Sequence, residues 1–93
     1  MVDAQRSRAA LSTGLALSGL SPQDLLVRSA AIGDHVTPAK LTALLTTDAP
    51  RQDLEHDVVA IALNEHLSDE GMAHPVPTST QLAATHHTAD GHP

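Results

Sequence analysis

Histidines and carboxylates are the residues of this chain best able to do chemistry, and they cluster in two places. His86, His87 and His92 lie in the last stretch, where a His-rich tract could chelate a divalent cation weakly. Nothing in the surrounding sequence supplies the rigid second shell that would orient such ligands. His66 stands at facing helical spacing from Asp69 and Glu70, but three polar side chains at a helix end ordinarily form a solvated face. The chain has no His-Glu-x-x-His and no paired Glu-x-x-His of a bundle di-metal site, so no metal ligand is assigned. Ser, His and Asp are all present, yet there is no Gly-x-Ser-x-Gly, no P-loop and no Gly-x-Gly-x-x-Gly. No catalytic or cofactor-binding residue is therefore assigned, and the expectation is that the protein is not an enzyme and carries no cofactor.

Asp57 and Asn64 remain, and their meaning depends on the stretch that holds them, residues 52–71, QDLEHDVVAIALNEHLSDEG. Its middle, Val58-Val59-Ala60-Ile61-Ala62-Leu63, is the longest uninterrupted apolar run in the chain. At about 100° per residue, Leu54, Val58, Ile61 and Ala62 form one apolar stripe. Val59, Leu63 and Leu67 form a second, nearly opposite. A surface helix shows one apolar face, whereas a helix with two is packed from two sides, so this is expected to be the central helix that the rest of the chain wraps. Asp53, Asp57 and Asn64 make its one narrow polar sector. The plain reading of that sector is a solvent edge. The sharper one is a polar contact that fixes register with a partner, and on it Asp57, Asn64 and the neighbouring Ile61 are the candidate partner-binding residues.

Three further helices are expected before the central one. Asp3 is positioned to cap a first helix running to about Ser18, with Gly19 as its stop; Leu11, Leu15 and Ala16 give it an apolar stripe. Gly14 should weaken this helix by about 1 kcal/mol relative to Ala. Ser21-Pro22-Gln23-Asp24 has the form of a capping box with proline at the first helical position, with Leu20 and Leu25 as a hydrophobic staple. The second helix then stops at Gly33, read as its C′ residue. Thr37-Pro38 repeats the cap, and the third helix reaches about Thr46 with Leu41, Leu44 and Leu45 facing inward. Gly71 closes the central helix, with Met72 placed for the hydrophobic contact of a Schellman motif.

Composition limits the rest. Ninety-three residues with no Phe, Tyr, Trp or Cys make one small domain whose core is aliphatic and unreinforced by disulfide or thiolate-bound metal. Such a domain buries only about 60% of its unfolded surface, which favours burial of a leftover apolar face in a partner. A net charge of −6 with five scattered basic residues opposes a phosphate-binding or anionic-membrane surface. The N-terminal stretch is interrupted by Ser12, Thr13, Gly14 and Ser18 and has Asp3 where a signal peptide should be positive. No apolar run approaches a membrane span, so a soluble cytoplasmic protein with no membrane contact and no small-molecule ligand is expected. After Met72 the character changes: Pro75 and Pro77 impose an extended path, and from Thr78 the chain is poor in anything to bury. The expected division is a helical domain over 1–77 and a disordered tail over 78–93.

The second and third helices, joined across Gly33–Val36, have the dimensions of a helix-turn-helix. The outward side chains of the third, Thr37, Lys40, Thr42 and Thr46, include only one of the bidentate base readers, Lys40. Two further segments carry a resemblance: LLVRSAAIGDHVTPAKLTALL and QDLEHDVVAIALNEHLSDEGMAHPVP. Through Arg28, Gly33, Thr37-Pro38, Leu41, Ala43 and Leu45, then His56-Asp57-Val58, Ala60, Ala62-Leu63-Asn64-Glu65 and His74-Pro75-Val76-Pro77, the chain resembles a family of small actinobacterial all-helical proteins from Leu25 to Pro77. Leu26 and Ser29 stand where that family has Trp and Tyr, and Thr78 where it has a final Tyr. The resemblance implies an all-helical architecture, a bacterial cytoplasm and a regulatory setting, and no activity. The expectation is thus an all-α bundle of three to four helices around a central C-terminal helix. Its expected role is a non-catalytic interaction or regulatory module for a protein partner or a second copy, with a helix-turn-helix DNA binder as the alternative.

Overall fold

The computed structural model describes residues 2–33, 36–73 and 75–82. Four α-helices follow one another: α1 Ala4–Ser18, α2 Pro22–Ile32, α3 Pro38–Thr46 and α4 Asp53–Asp69. No strand occurs among the described residues. The starts are set by the expected side chains. Asp3 accepts from the Arg6 N–H at 2.8 Å, Ser21 from Asp24 N–H at 3.1 Å and Thr37 from Lys40 N–H at 3.1 Å. The Asp24 carboxylate returns to the Ser21 N–H at 3.4 Å, completing the capping box. At the far end of α4 the Met72 N–H reaches Leu67 C=O at 2.9 Å and the Gly71 N–H reaches Ser68 C=O at 3.0 Å. With Gly71 at φ 91°, this is the Schellman closure. Gly33 differs from expectation. Its φ of −168° is extended backbone, and its N–H simply continues to Ser29 C=O at 3.0 Å. α2 therefore ends without a left-handed residue.

The helices do not stack in chain order. α1 and α2 both pack on α4 and both touch α3, which leaves α4 at the centre. Val58 and Ala62 on one side, and Val59, Leu63 and Leu67 on the other, are all buried, as two-sided packing requires. They meet Leu11 of α1, Leu25 of α2, and Leu41 and Leu44 of α3. The first stripe is only half covered: Leu54 is 48% exposed and Ile61 41%.

After α4 the chain doubles back. Residues 75–78 pass against α1 and α4, with a bend at Val76, and lead into a helical turn at 79–82. This turn lies inside the stretch expected to be disordered. It has its own capping box, which marks Thr78 as a helix start. The Gln81 N–H reaches Thr78 Oγ1 at 3.2 Å, and the Thr78 N–H reaches Gln81 Oε1 at 2.8 Å. Ser79, though polar, is buried. Described helical structure thus reaches Leu82, past Pro77; the remainder of the expected tail, with His86, His87 and His92, lies outside the described residues.

Gly14 also has a different role from the one expected. It is buried where α1 crosses the strap 75–82, and a β-carbon there would stand 2.4 Å from Val76 Cγ2 and 3.1 Å from Leu63 Cδ1. The missing side chain is the space that lets Val76 seat, so the cost in helix propensity is exchanged for close packing.

Candidate functional site

The polar sector of α4 is a solvent edge only at Asp53; Asp57 is half-buried and Asn64 buried. Asn64 is 7% exposed; its Nδ2 donates to Val76 C=O at 2.8 Å, and its Oδ1 accepts from the Val76 N–H at 2.9 Å. One side chain thereby satisfies both backbone groups of a residue that belongs to no helix or sheet. Asp57 accepts from the Ser79 N–H at 2.7 Å and from the Ser79 hydroxyl at 2.8 Å. Asp53, one turn earlier, accepts from the Val2 N–H at 2.6 Å. The sector therefore fastens the chain's own two outlying segments to its central helix. The contacts these side chains make are intramolecular, whereas the sharper reading set them against a partner.

A second polar chain runs beneath the strap. His56 is fully buried. Its Nε2 lies 2.8 Å from Pro77 C=O, and its Nδ1 lies 2.7 Å from the Ser7 hydroxyl of α1. A carbonyl only accepts, so Nε2 carries the hydrogen; Nδ1 of the neutral ring then accepts from the serine. Burial pushes the ring below its ordinary pKa. Pro77 C=O, Asp57 and Asp53 act in the opposite direction, and Arg51 adds to the lowering. The Ser7 oxygen receives in turn an N–H of Arg51 at 3.4 Å.

Arg51, 3% exposed, spends its remaining donors on the end of α3. It bonds Leu44 C=O at 2.8 Å, Thr47 C=O at 2.6 Å and Ala49 C=O at 3.1 Å. The Leu44 and Thr47 carbonyls would otherwise be stranded at the C-terminal end of α3, where a cation is also favoured by the dipole; Ala49 lies in the loop beyond. Burial lowers the Arg51 pKa from its ordinary value against the raising effects of Asp48 and Glu55, and a guanidinium remains charged. Glu55 also has its back to the core. Burial alone would raise its pKa, but the Lys40 hydrogen bond, the Gln52 N–H and the charges of Lys40 and Arg51 hold it below the ordinary value.

Ser7 and His56 are the residue types of a nucleophile and its base. Both are 0% exposed. Pro77 C=O at Nε2 stands where a third group orients a catalytic base, but α1 and the strap cover both side chains, so in this closed arrangement no substrate reaches the Ser7 oxygen. His66 touches Ser18 C=O and Glu70 through Nε2, both at 3.2 Å, while Asp69 is not drawn in. No group of three or more metal-ligating side chains forms among the described residues. The Glu70 contact also gives one of the two C-terminal carboxylates, set against the dipole, a partner.

Of the three residues assigned from sequence, Asp57 and Asn64 face the strap, and Ile61 lies on the exposed side of α4 with Leu54. Sequence reasoning missed Ser7, Arg51, His56 and Val76. Val76 was marked only by its prolines, and Arg51 looked like one more surface cation. The Lys40 side chain, the single base-reading candidate of α3, is paired with Glu55 at 2.8 Å. No described helix is long and apolar enough to cross a membrane. No protein-family model, curated protein or solved structure matches this chain.

Proposed function

We propose that the protein is a non-catalytic interaction or regulatory module whose partner is a protein, a second copy of this chain included. The observation that carries this reading is the uncovered stripe on α4. Leu54 and Ile61 are 48% and 41% exposed on the one helix whose other faces are buried. Val27 on α2, 66% exposed, adds apolar surface outside the core. A small aliphatic domain gains from covering such surface. The buried Ser7–His56 pair, closed to substrate, supports the non-catalytic part. The bacterial cytoplasmic setting implied by the family resemblance is the context in which we place it.

Sedimentation equilibrium over a hundredfold concentration range tests the self-pairing form, with Ile61→Lys as the matched variant. Concentration-dependent association abolished by Ile61→Lys, with helicity retained, is expected. A monomer at every concentration, with a cooperative melt, refutes self-pairing. With Lys40 held by Glu55 and a net charge of −6, a gel shift on random duplex at low salt should show no complex; a salt-sensitive shift would instead favour the helix-turn-helix reading.

A further inference from the structure

We propose that His56 is the bolt of a pH-sensitive latch, so that taking up a proton there frees the strap 75–82 from α1 and α4 while the four helices stay folded. The inference stands on the geometry around a buried ring. The neutral tautomer satisfies every group it touches: Nε2–H donates to Pro77 C=O, and Nδ1 accepts the Ser7 hydroxyl. A second proton has to go on Nδ1. Ser7 would then face two cationic donors, the imidazolium at 2.7 Å and the Arg51 guanidinium at 3.4 Å, across one oxygen. Its own hydrogen would lose the acceptor it has. Arg51 cannot yield, because its other donors hold Leu44, Thr47 and Ala49.

The charged groups around the ring are few. Arg51 approaches from the loop before α4, and Asp53 and Asp57 lie on the ring's own helix. Both carboxylates are already engaged, by Val2 and by Ser79. α1 offers the uncharged Ser7, and residues 75–82 contain no ionisable side chain. An imidazolium in this setting gains most by reaching water, which relieves its desolvation. Two covers lie over it. α1 is anchored independently by Leu11 in the core, by Ser12 on Leu45 C=O at 2.7 Å and by the Arg8–Asp48 pair. The strap is a short segment held by Val76, Asn64 and Asp57, and it is the cover that leaves.

Opening then consumes a proton. In the closed form the ring is held below its ordinary value of 6.5, and in the open form it returns to that value. The closed form is therefore fully favoured above about pH 6.5 and loses ground as pH falls, until the closed ring itself protonates. The open population should rise between about pH 7 and about pH 5.5, by at most about eightfold, the limit set by protonation of the open ring, in a window above the range where carboxylates gain protons.

Amide hydrogen exchange on the full chain tests this. The Val76 and Ser79 N–H groups, both bonded to α4 side chains, should lose protection across that window, by at most about eightfold after correction for intrinsic exchange, while Ala60 and Leu63 keep theirs. Strap protection that is unchanged, or that falls only together with Ala60 and Leu63, overturns the proposal. His56→Gln keeps a donor for Pro77 C=O and removes the titration, so its strap should lose the pH dependence; a dependence that persists overturns the assignment to His56. If that variant does not fold, the unsubstituted ring decides by NMR. Its titration must share a midpoint with the Val76 shift, and separate midpoints refute the latch.

Discussion

Gly14→Ala should destabilise the protein although it replaces glycine by the best helix former in the middle of a helix. Helix propensity alone favours alanine by about 1 kcal/mol. Against it stands the new β-carbon, 2.4 Å from Val76 Cγ2. Val76 is β-branched and fixed through both backbone groups by Asn64, so it has little freedom to turn away. Leu63 Cδ1, at 3.1 Å, is a flexible tip and gives more easily. Overpacking of this kind typically costs about 1–3 kcal/mol, and the net is a loss of about 0–2 kcal/mol. In a Val76→Ala background the clashing methyl is gone and the nearest strap atom is the β-carbon at 3.7 Å, an ordinary contact. There Gly14→Ala should stabilise, by up to about 1 kcal/mol. Urea unfolding followed by far-UV circular dichroism measures all four corners of the cycle; the chain has no Trp or Tyr to report by fluorescence. A coupling of about 1–3 kcal/mol is expected. Equal stabilisation by Gly14→Ala in both backgrounds would show that Val76 does not sit on Gly14, and the account of the strap would fail with it.

Leu63→Ala, at a fully buried position of α4, should lose about 2–5 kcal/mol in the same assay; a loss under about 1 kcal/mol would remove α4 from the centre of the fold. Asn64→Leu keeps the bulk but strands the Val76 N–H and C=O, at about 1–3 kcal/mol for each group left buried, and an unchanged midpoint would show the strap held by other means. Ser29 is fully buried on α2, and its hydroxyl has no partner among the described residues. Ser29→Ala should therefore be neutral or stabilising by up to about 1 kcal/mol, and a clear loss would reveal a hidden acceptor.

The helix starts were legible because each is a local device: Asp3, Ser21 and Thr37 accept from residues three positions on, and that spacing is visible in the letters. The two-sided burial of Val58, Val59, Ala62 and Leu63 was legible from periodicity for the same reason. The role of the polar sector was harder. A helical wheel places Asp57 and Asn64 on a face but does not say what lies over it, and their partners Val76 and Ser79 come from a segment too short and irregular to have a period to read. One signal was available. Thr78-x-x-Gln81 has the same form as Ser21-x-x-Asp24, and it marks a helix start inside the supposed tail. Gly14 and Arg51 were beyond reach, since a close approach and a set of stranded carbonyls exist only once α1, α3 and the strap have met. Gly33 shows the opposite error, a glycine credited with a left-handed turn that the backbone does not make.

The placement of α1 bears on how the protein acquires its structure. Its side chains and the segment before it find their fixed partners far along the chain: Val2 at Asp53, Ser7 at His56, Arg8 at Asp48, Ser18 at His66. None of these can form while only the first forty residues exist, and α1 alone, short and carrying Gly14 and three serines, is too weak to persist as an isolated helix in water. Closing loops of that length must precede any reward from them. The protein should accordingly fold more slowly than a helical bundle whose neighbours in space are neighbours in sequence. A ribosome would have to release α4 before Val2, Ser7 and Ser18 met the partners that hold them.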